Sequence, residues 1–122
     1  MVGLHVQYGY RMKSTLVAWS VLVASVVAEV AGTVALKHSS GFTKFLPAAI
    51  AGFFYVVAIW LMAIAMRQLE MGVTYAVWAA SGTAAIALVG IAFYGEQTSA
   101  LKLAGLALVV SGVVLLNLEA QP

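Results

Sequence analysis

A lone carboxylate inside a long apolar run dominates the chemistry available to this sequence. Between Lys13 and Lys37 the only charged residue is Glu29. An acidic side chain near the centre of a lipid-spanning helix costs at least about 2.5–3.5 kcal/mol on insertion scales. Residues kept at that cost usually bind protons, ions or substrate. No other charge lies within a span to pair with it, so a proton or a cation is the natural companion of Glu29. Ser25, Glu29, Gly32 and Thr33 fall at i, i+4, i+7 and i+8, which puts small and hydroxyl side chains on the carboxylate's face of a helix. Such residues let a neighbouring helix, or a ligand, come close.

Aromatic residues supply the second element. Tyr75 and Trp78 are three apart and share a helix face, and Tyr55 lies inside another apolar run. An aromatic wall near an anionic group suits an organic cation, because cation–π attraction strengthens when water is excluded. Trp19, Trp60 and Tyr94 read instead as interface anchors or packing residues.

These residues need a frame, and the spacing of charges measures it out. No charge interrupts Lys44 to Arg67 or Glu70 to Glu96, and sixteen uncharged residues separate Lys102 from Glu119. A transmembrane helix takes about 20 residues at 1.5 Å each. Four spans follow, at about 16–36, 45–66, 72–94 and 99–118, with Lys102 snorkelling to the interface. The expected fold is an all-α integral membrane protein with four transmembrane helices per subunit, forming one unit over residues 15–118. A β-barrel is excluded, since residues 45–66 and 103–116 do not alternate polar and apolar positions. In 122 residues, 64% hydrophobic and 8% charged, no soluble domain is accommodated. The links at 38–41, 68–71 and 95–98 are short, so successive helices run antiparallel.

Residues 1–14 read as a disordered extension, with Met12 as an alternative first residue, and residues 119–122 as a short tail. The extension is not read as a signal peptide, because a full-length span without a clear cleavage site follows the basic residues. Lysines and arginines divide evenly between the two sides, Arg11, Lys13 and Arg67 against Lys37, Lys44 and Lys102. The positive-inside rule then sets no orientation, and insertion both ways is expected. Gly105, Leu108 and Gly112 form a small-residue stripe on the last span that reads as a helix seam between subunits. Gly82 and Gly90 allow tight packing or bending of the third span, and Glu70, Glu96 and Glu119 read as solvated edge residues. There is no cysteine, and no metal, nucleotide or phosphate motif; no cofactor is expected. A net charge of +2 spread along the chain makes no nucleic-acid footprint.

The sequence resembles the small multidrug resistance transporters over about residues 19–118. The resemblance rests on Ala28-Glu29-Val30 with Gly32-Thr33, Leu36-Lys37, Gly41-Phe42-Thr43, Pro47, Tyr55, the run Gly72-Val73-Thr74-Tyr75-Ala76-Val77-Trp78, Gly95-Glu96, and Gly112-Val113-Val114 with Leu116-Asn117-Leu118. It implies an antiparallel, dual-topology dimer in a prokaryotic plasma membrane, with protons and a cationic substrate competing for the paired Glu29 carboxylates. It assigns the binding aromatics to Tyr55, Tyr75 and Trp78. Family members that export guanidinium usually carry tryptophan three residues after the glutamate. Gly32 stands there, as in exporters of quaternary ammonium and aromatic cations. Two positions depart from the family pattern: Ala58 where serine is common, and Glu70 where proline often precedes the Gly-Val-Thr-Tyr run. The reading is therefore a proton-coupled exporter of hydrophobic cations, and not an enzyme. The alternatives are an exporter of guanidinium or polyamines, one half of a heterodimeric pair, or a non-transporting membrane subunit.

Overall fold

The computed structural model describes residues 2–120, with side chains from residue 14 to residue 119. Four helices follow one another: α1 (Val2–His38), α2 (Phe45–Ala65), α3 (Met71–Tyr94) and α4 (Ala100–Ala120). Each contains a stretch long and apolar enough to cross a membrane, namely Ser14–His38, Phe45–Ala65, Met71–Tyr94 and Ala100–Glu119. Every boundary lies within two residues of the four expected spans. Helices suit lipid because every backbone hydrogen bond closes inside its own segment. Residues 2–13, read above as a disordered extension, are helical and continuous with the rest of α1, and side chains are described from Ser14 on.

Polar side chains close the turns. Buried Ser39 donates its hydroxyl to Leu36 O at 2.6 Å and accepts from Phe42 N–H at 3.1 Å. The chain reverses there through three successive left-handed residues, Ser40, Gly41 and Phe42. Pro47 stands in the first turn of α2, where no intrahelical donor is lost. Thr74, also buried, ties the start of α3 to Glu70 O at 2.5 Å. Gly95, at φ 64°, ends α3 in the left-handed conformation, and Glu96 N–H then donates to Gly90 O at 3.1 Å. Ser99 caps α4 by accepting from Lys102 N–H at 3.0 Å.

The closest helix pair is α1 with α2. Ala18, Ser25 and Gly32 are buried on one, and Ala51, Ala58 and Ala65 on the other, each set seven residues apart. That 3.5-residue rhythm belongs to nearly aligned helices, and small residues bring the backbones together. Ser25 Oγ donates to Ala58 O at 2.6 Å, which fixes the register. The same register brings Ala18 level with Ala65, and Gly32 level with Ala51. Helix α3 packs on α1, and α4 packs on α3. No residue of α4 from Ala100 to Glu119 is buried.

Candidate functional site

The candidate site lies where α1 faces α2 and α3. Glu29 is half-buried there. Thr33, one turn further along α1, donates its hydroxyl to Glu29 Oε1 at 3.2 Å. Thr33 Oγ1 also lies 2.8 Å from the Tyr55 hydroxyl on α2. A hydroxyl has one hydrogen, so with that of Thr33 given to Glu29, Tyr55 is the donor in the second bond. The result is a directed chain from Tyr55 through Thr33 to Glu29.

The other carboxylate oxygen is different. Glu29 Oε2 is buried and accepts no hydrogen bond among the described residues. It points at Gly82 of α3, where an added Cβ would stand 2.6 Å away. A glycine at that position is what allows the carboxylate to sit between the two helices. Buried acceptors without partners are rare and expensive.

One turn back along both helices, Ser25 and Trp78 meet. Trp78 Nε1–H donates to Ser25 Oγ at 3.1 Å, while Ser25 gives its own hydrogen to Ala58 O. Ser25 is wholly buried, and both its donor and an acceptor lone pair are used. Tyr75 leans on Trp78 with ring centroids 5.7 Å apart, and is itself 55% exposed. The expected residues therefore form two linked groups: Glu29, Thr33 and Tyr55 around the carboxylate, and Ser25, Trp78 and Tyr75 beside it. Gly32 belongs to the first group through contact alone. A Cβ there would lie 3.2 Å from the Tyr55 ring, so the ring fills the room that glycine leaves.

Gly105, Leu108 and Gly112 are not part of this site. Gly105 and Gly112 have nothing within 4 Å of an added Cβ, and Leu108 is 74% exposed. The half-buried residues of α4 are Lys102, Leu106, Val113 and Asn117, a stripe roughly a third of a turn away from those three. Trp60 is also exposed, while Tyr94 accepts or donates a 2.7 Å hydrogen bond with His38 Nε2. A larger groove of about 400 Å³ lies at the opposite end of the α1–α2 pair, between Val17, Val21, Ile64 and Arg67. It contains none of the expected site residues.

Two participants are not among the expected site residues. Gly82 carries no functional group, so only its spacing four residues after Trp78 hinted that it faces the same helix. Ala58 contributes a backbone carbonyl, which any residue type would offer. The hydroxyl absent from position 58 is present on α1 instead, at Ser25.

The arrangement is that of a small four-span membrane protein built round one intramembrane carboxylate with aromatic neighbours. The chain belongs to the small multidrug resistance family, whose protein model matches residues 17–109. It is accordingly an efflux transporter and a multi-pass protein of a prokaryotic inner membrane. It is 40% identical over 117 residues to the nicotine metabolites export pump subunit NepA of Paenarthrobacter nicotinovorans, covering 96% of this chain and 98% of that one. It is 39% identical over 100 residues to the quaternary ammonium compound-resistance protein QacE of Escherichia coli, covering 82% and 91%. A guanidinium exporter of Escherichia coli K12 is 37% identical over 102 residues, covering 84% and 97%.

Proposed function

We propose that the protein is a proton-coupled antiporter that exports hydrophobic and aromatic cations, with Glu29 as the shared site for proton and substrate. The observation that carries this reading is the buried, unpartnered Oε2 of Glu29 beside Gly82. A proton there neutralises the carboxylate, and an organic cation does so by pairing with it. Only one is needed, so the arrival of either releases the other. The Trp78–Tyr75 pair, one turn away, offers aromatic faces to the apolar part of the cation. Exchange then requires the protein to alternate its facing between proton release and proton uptake, without any nucleotide.

The working unit in this reading is an antiparallel dimer of two oppositely inserted copies. Its support is the even division of Lys and Arg between the two sides and the uncovered Gly105–Leu108–Gly112 face of α4. Two copies bring two Glu29 carboxylates to one cavity.

A second reading is supported by the relatives. The resemblance to the export pump subunit extends over 117 of 122 residues, so it takes in most of residues 1–14. A paired, non-identical partner chain is consistent with that. The guanidinium exporter's similarity keeps a small planar cation in view as cargo.

The test is proton release from detergent-purified protein on adding tetraphenylphosphonium, then guanidinium, with Glu29→Gln as control. Release with the aromatic cation alone, lost in the variant, is the expected result. Release with guanidinium alone would keep the mechanism and reverse the choice of substrate. Release with neither would count against antiport by this chain alone.

A further inference from the structure

The α1–α3 contact continues past the carboxylate toward one membrane surface. Glu29, Thr33 and Lys37 step along α1 at intervals of four, and Trp78, Gly82, Ile86 and Gly90 do the same along α3. Alternate helices run parallel, so these two ladders climb together. Ser25 meets Trp78, and Glu29 meets Gly82. Beyond them Thr33, Val34 and Lys37 enclose a cavity of about 70 Å³ with Ile86, Gly90 and Glu96. Its inner end is lined by Thr33, whose hydroxyl is bonded to Glu29. Its outer wall is a second carboxylate.

Glu96 reaches that place because of two glycines. Gly95 turns the chain in the left-handed conformation, and Gly90 leaves open the spot where the Glu96 carboxylate folds back onto α3. A Cβ on residue 90 would collide with the carboxylate. The half-exposed Glu96 side chain therefore spans bulk water and the mouth of the cavity. The groups around it are Lys37 and His38 of α1, Tyr94 of α3 and Lys102 of α4. Lys102 Nζ lies 4.0 Å from Glu96 Oε2, and Lys37 Nζ rests 5.1 Å above the Tyr94 ring.

Size and charge decide what such a cavity carries. Pockets for drug-sized ligands run from about 300 Å³ upward, so a bulky cation does not fit. Two lysines at the mouth would also repel it, and the Tyr94 face already carries an ammonium. Water fits, because a molecule needs only about 10–15 Å³ of such space and several polar partners. Thr33, Lys37 and Glu96 supply those partners.

We propose that this α1–α3 crevice is a proton passage between Glu29 and the membrane surface, separate from the aromatic approach used by the organic cation. Glu96 is its outer proton-collecting carboxylate, and Thr33 its inner relay. The inference rests on the antiport reading above. A proton from bulk water joins the Glu96 carboxylate and moves through water in the cavity to Thr33 Oγ1. Thr33 accepts it while passing its own hydroxyl hydrogen to Glu29 Oε1. Each transfer breaks one O–H bond and forms one, and release runs the same steps backwards.

The passage is tested by stopped-flow recording of proton release with a pH dye after mixing purified protein with tetraphenylphosphonium. Glu96→Gln should leave the amplitude unchanged and slow release about tenfold, less than the 10²–10⁴ of a directly reacting acid–base group because water still delivers protons. Millimolar imidazole, a small diffusible proton carrier, should restore the rate. Gly90→Ala keeps every charge and displaces the Glu96 carboxylate, so it should show the same slowing. Wild-type rates in both variants, or slowing that imidazole leaves untouched, would overturn the passage while leaving antiport intact. Absence of release from the wild-type protein would instead bring down the antiport reading, and the passage with it.

Discussion

Helices α1 and α2 on one hand, and α4 on the other, have similar mean hydropathies of 1.9, 2.3 and 2.1 over their spans but differ in how they are packed. The first pair hides an alanine, serine or glycine every seven residues, and Ser25 is tied to the Ala58 carbonyl across the seam. Helix α4 leans a narrow stripe on α3 and leaves Leu101, Leu108, Leu115 and Leu118 exposed. In water that contrast would mark α4 as misplaced. In a bilayer, lipid chains solvate leucine as well as a protein does, and helix association depends on close fit and hydrogen bonds. The α1–α2 pair is thus completed inside one subunit, whereas α4 still has a face free for another helix.

That contrast can be broken in several ways. The largest expected effect is at the site the packed pair supports. Glu29→Gln should lower cation transport in proteoliposomes by at least about a hundredfold, since it removes the group that the proposed antiport gives to both cargoes. The helical circular dichroism should stay unchanged, because an amide oxygen still accepts from Thr33. Next comes the seam itself. Ala58 is wholly buried, so Ala58→Leu forces α1 and α2 apart at a cost of about 1–3 kcal/mol. Lower thermal stability of the purified subunit, or loss of expression, is the outcome to look for. The matching change on α4, Gly112→Leu, meets nothing within the subunit. It should leave subunit stability alone and weaken self-association about tenfold, read by dimer titration in liposomes. Equal damage from both substitutions would abolish the distinction between the two regions.

The smallest effect sharpens the comparison most. Ser25→Ala removes the acceptor that holds the Trp78 indole. Interhelical hydrogen bonds in membranes average about 0.6 kcal/mol, so affinity for an aromatic cation should fall only about threefold. Adding Ala58→Ser to that variant restores a hydroxyl from the opposite side of the same seam. Recovery of the Trp78 fluorescence response on ligand binding would show that the hydroxyl, and not the helix that carries it, is what positions the ring.

The spans were legible because lipid imposes a length and forbids charge, so Lys37, Lys44, Arg67 and Glu96 mark their ends in the sequence. Glu29 was legible for the same reason. The shared face of Ser25, Glu29, Gly32 and Thr33 was legible too, but it divides on closer view. Ser25 and Gly32 point at α2, while the free oxygen of Glu29 points at α3. A helical wheel gives a face and not the neighbours that split it. Glu96 read as a solvated edge residue, and it is exposed; its carboxylate nevertheless turns inward at Gly90. The Gly95-Glu96 pair after a long apolar run was a readable signal for a left-handed helix stop, but not for the direction of the side chain that follows. Ala58 and Gly82 contribute a carbonyl and an empty space, which have no signature in residue type.

That empty space at Gly82 has a genetic consequence. Glycine to alanine, the smallest step in side-chain volume, is ordinarily scored as mild in a membrane helix. Here the added methyl carbon would stand 2.6 Å from the carboxylate of Glu29. Any side chain at position 82 must push that carboxylate off its place, so in a saturation screen under a toxic cation codon 82 should favour glycine most strongly, and its profile should follow that of codon 29 although the two residues share no chemistry.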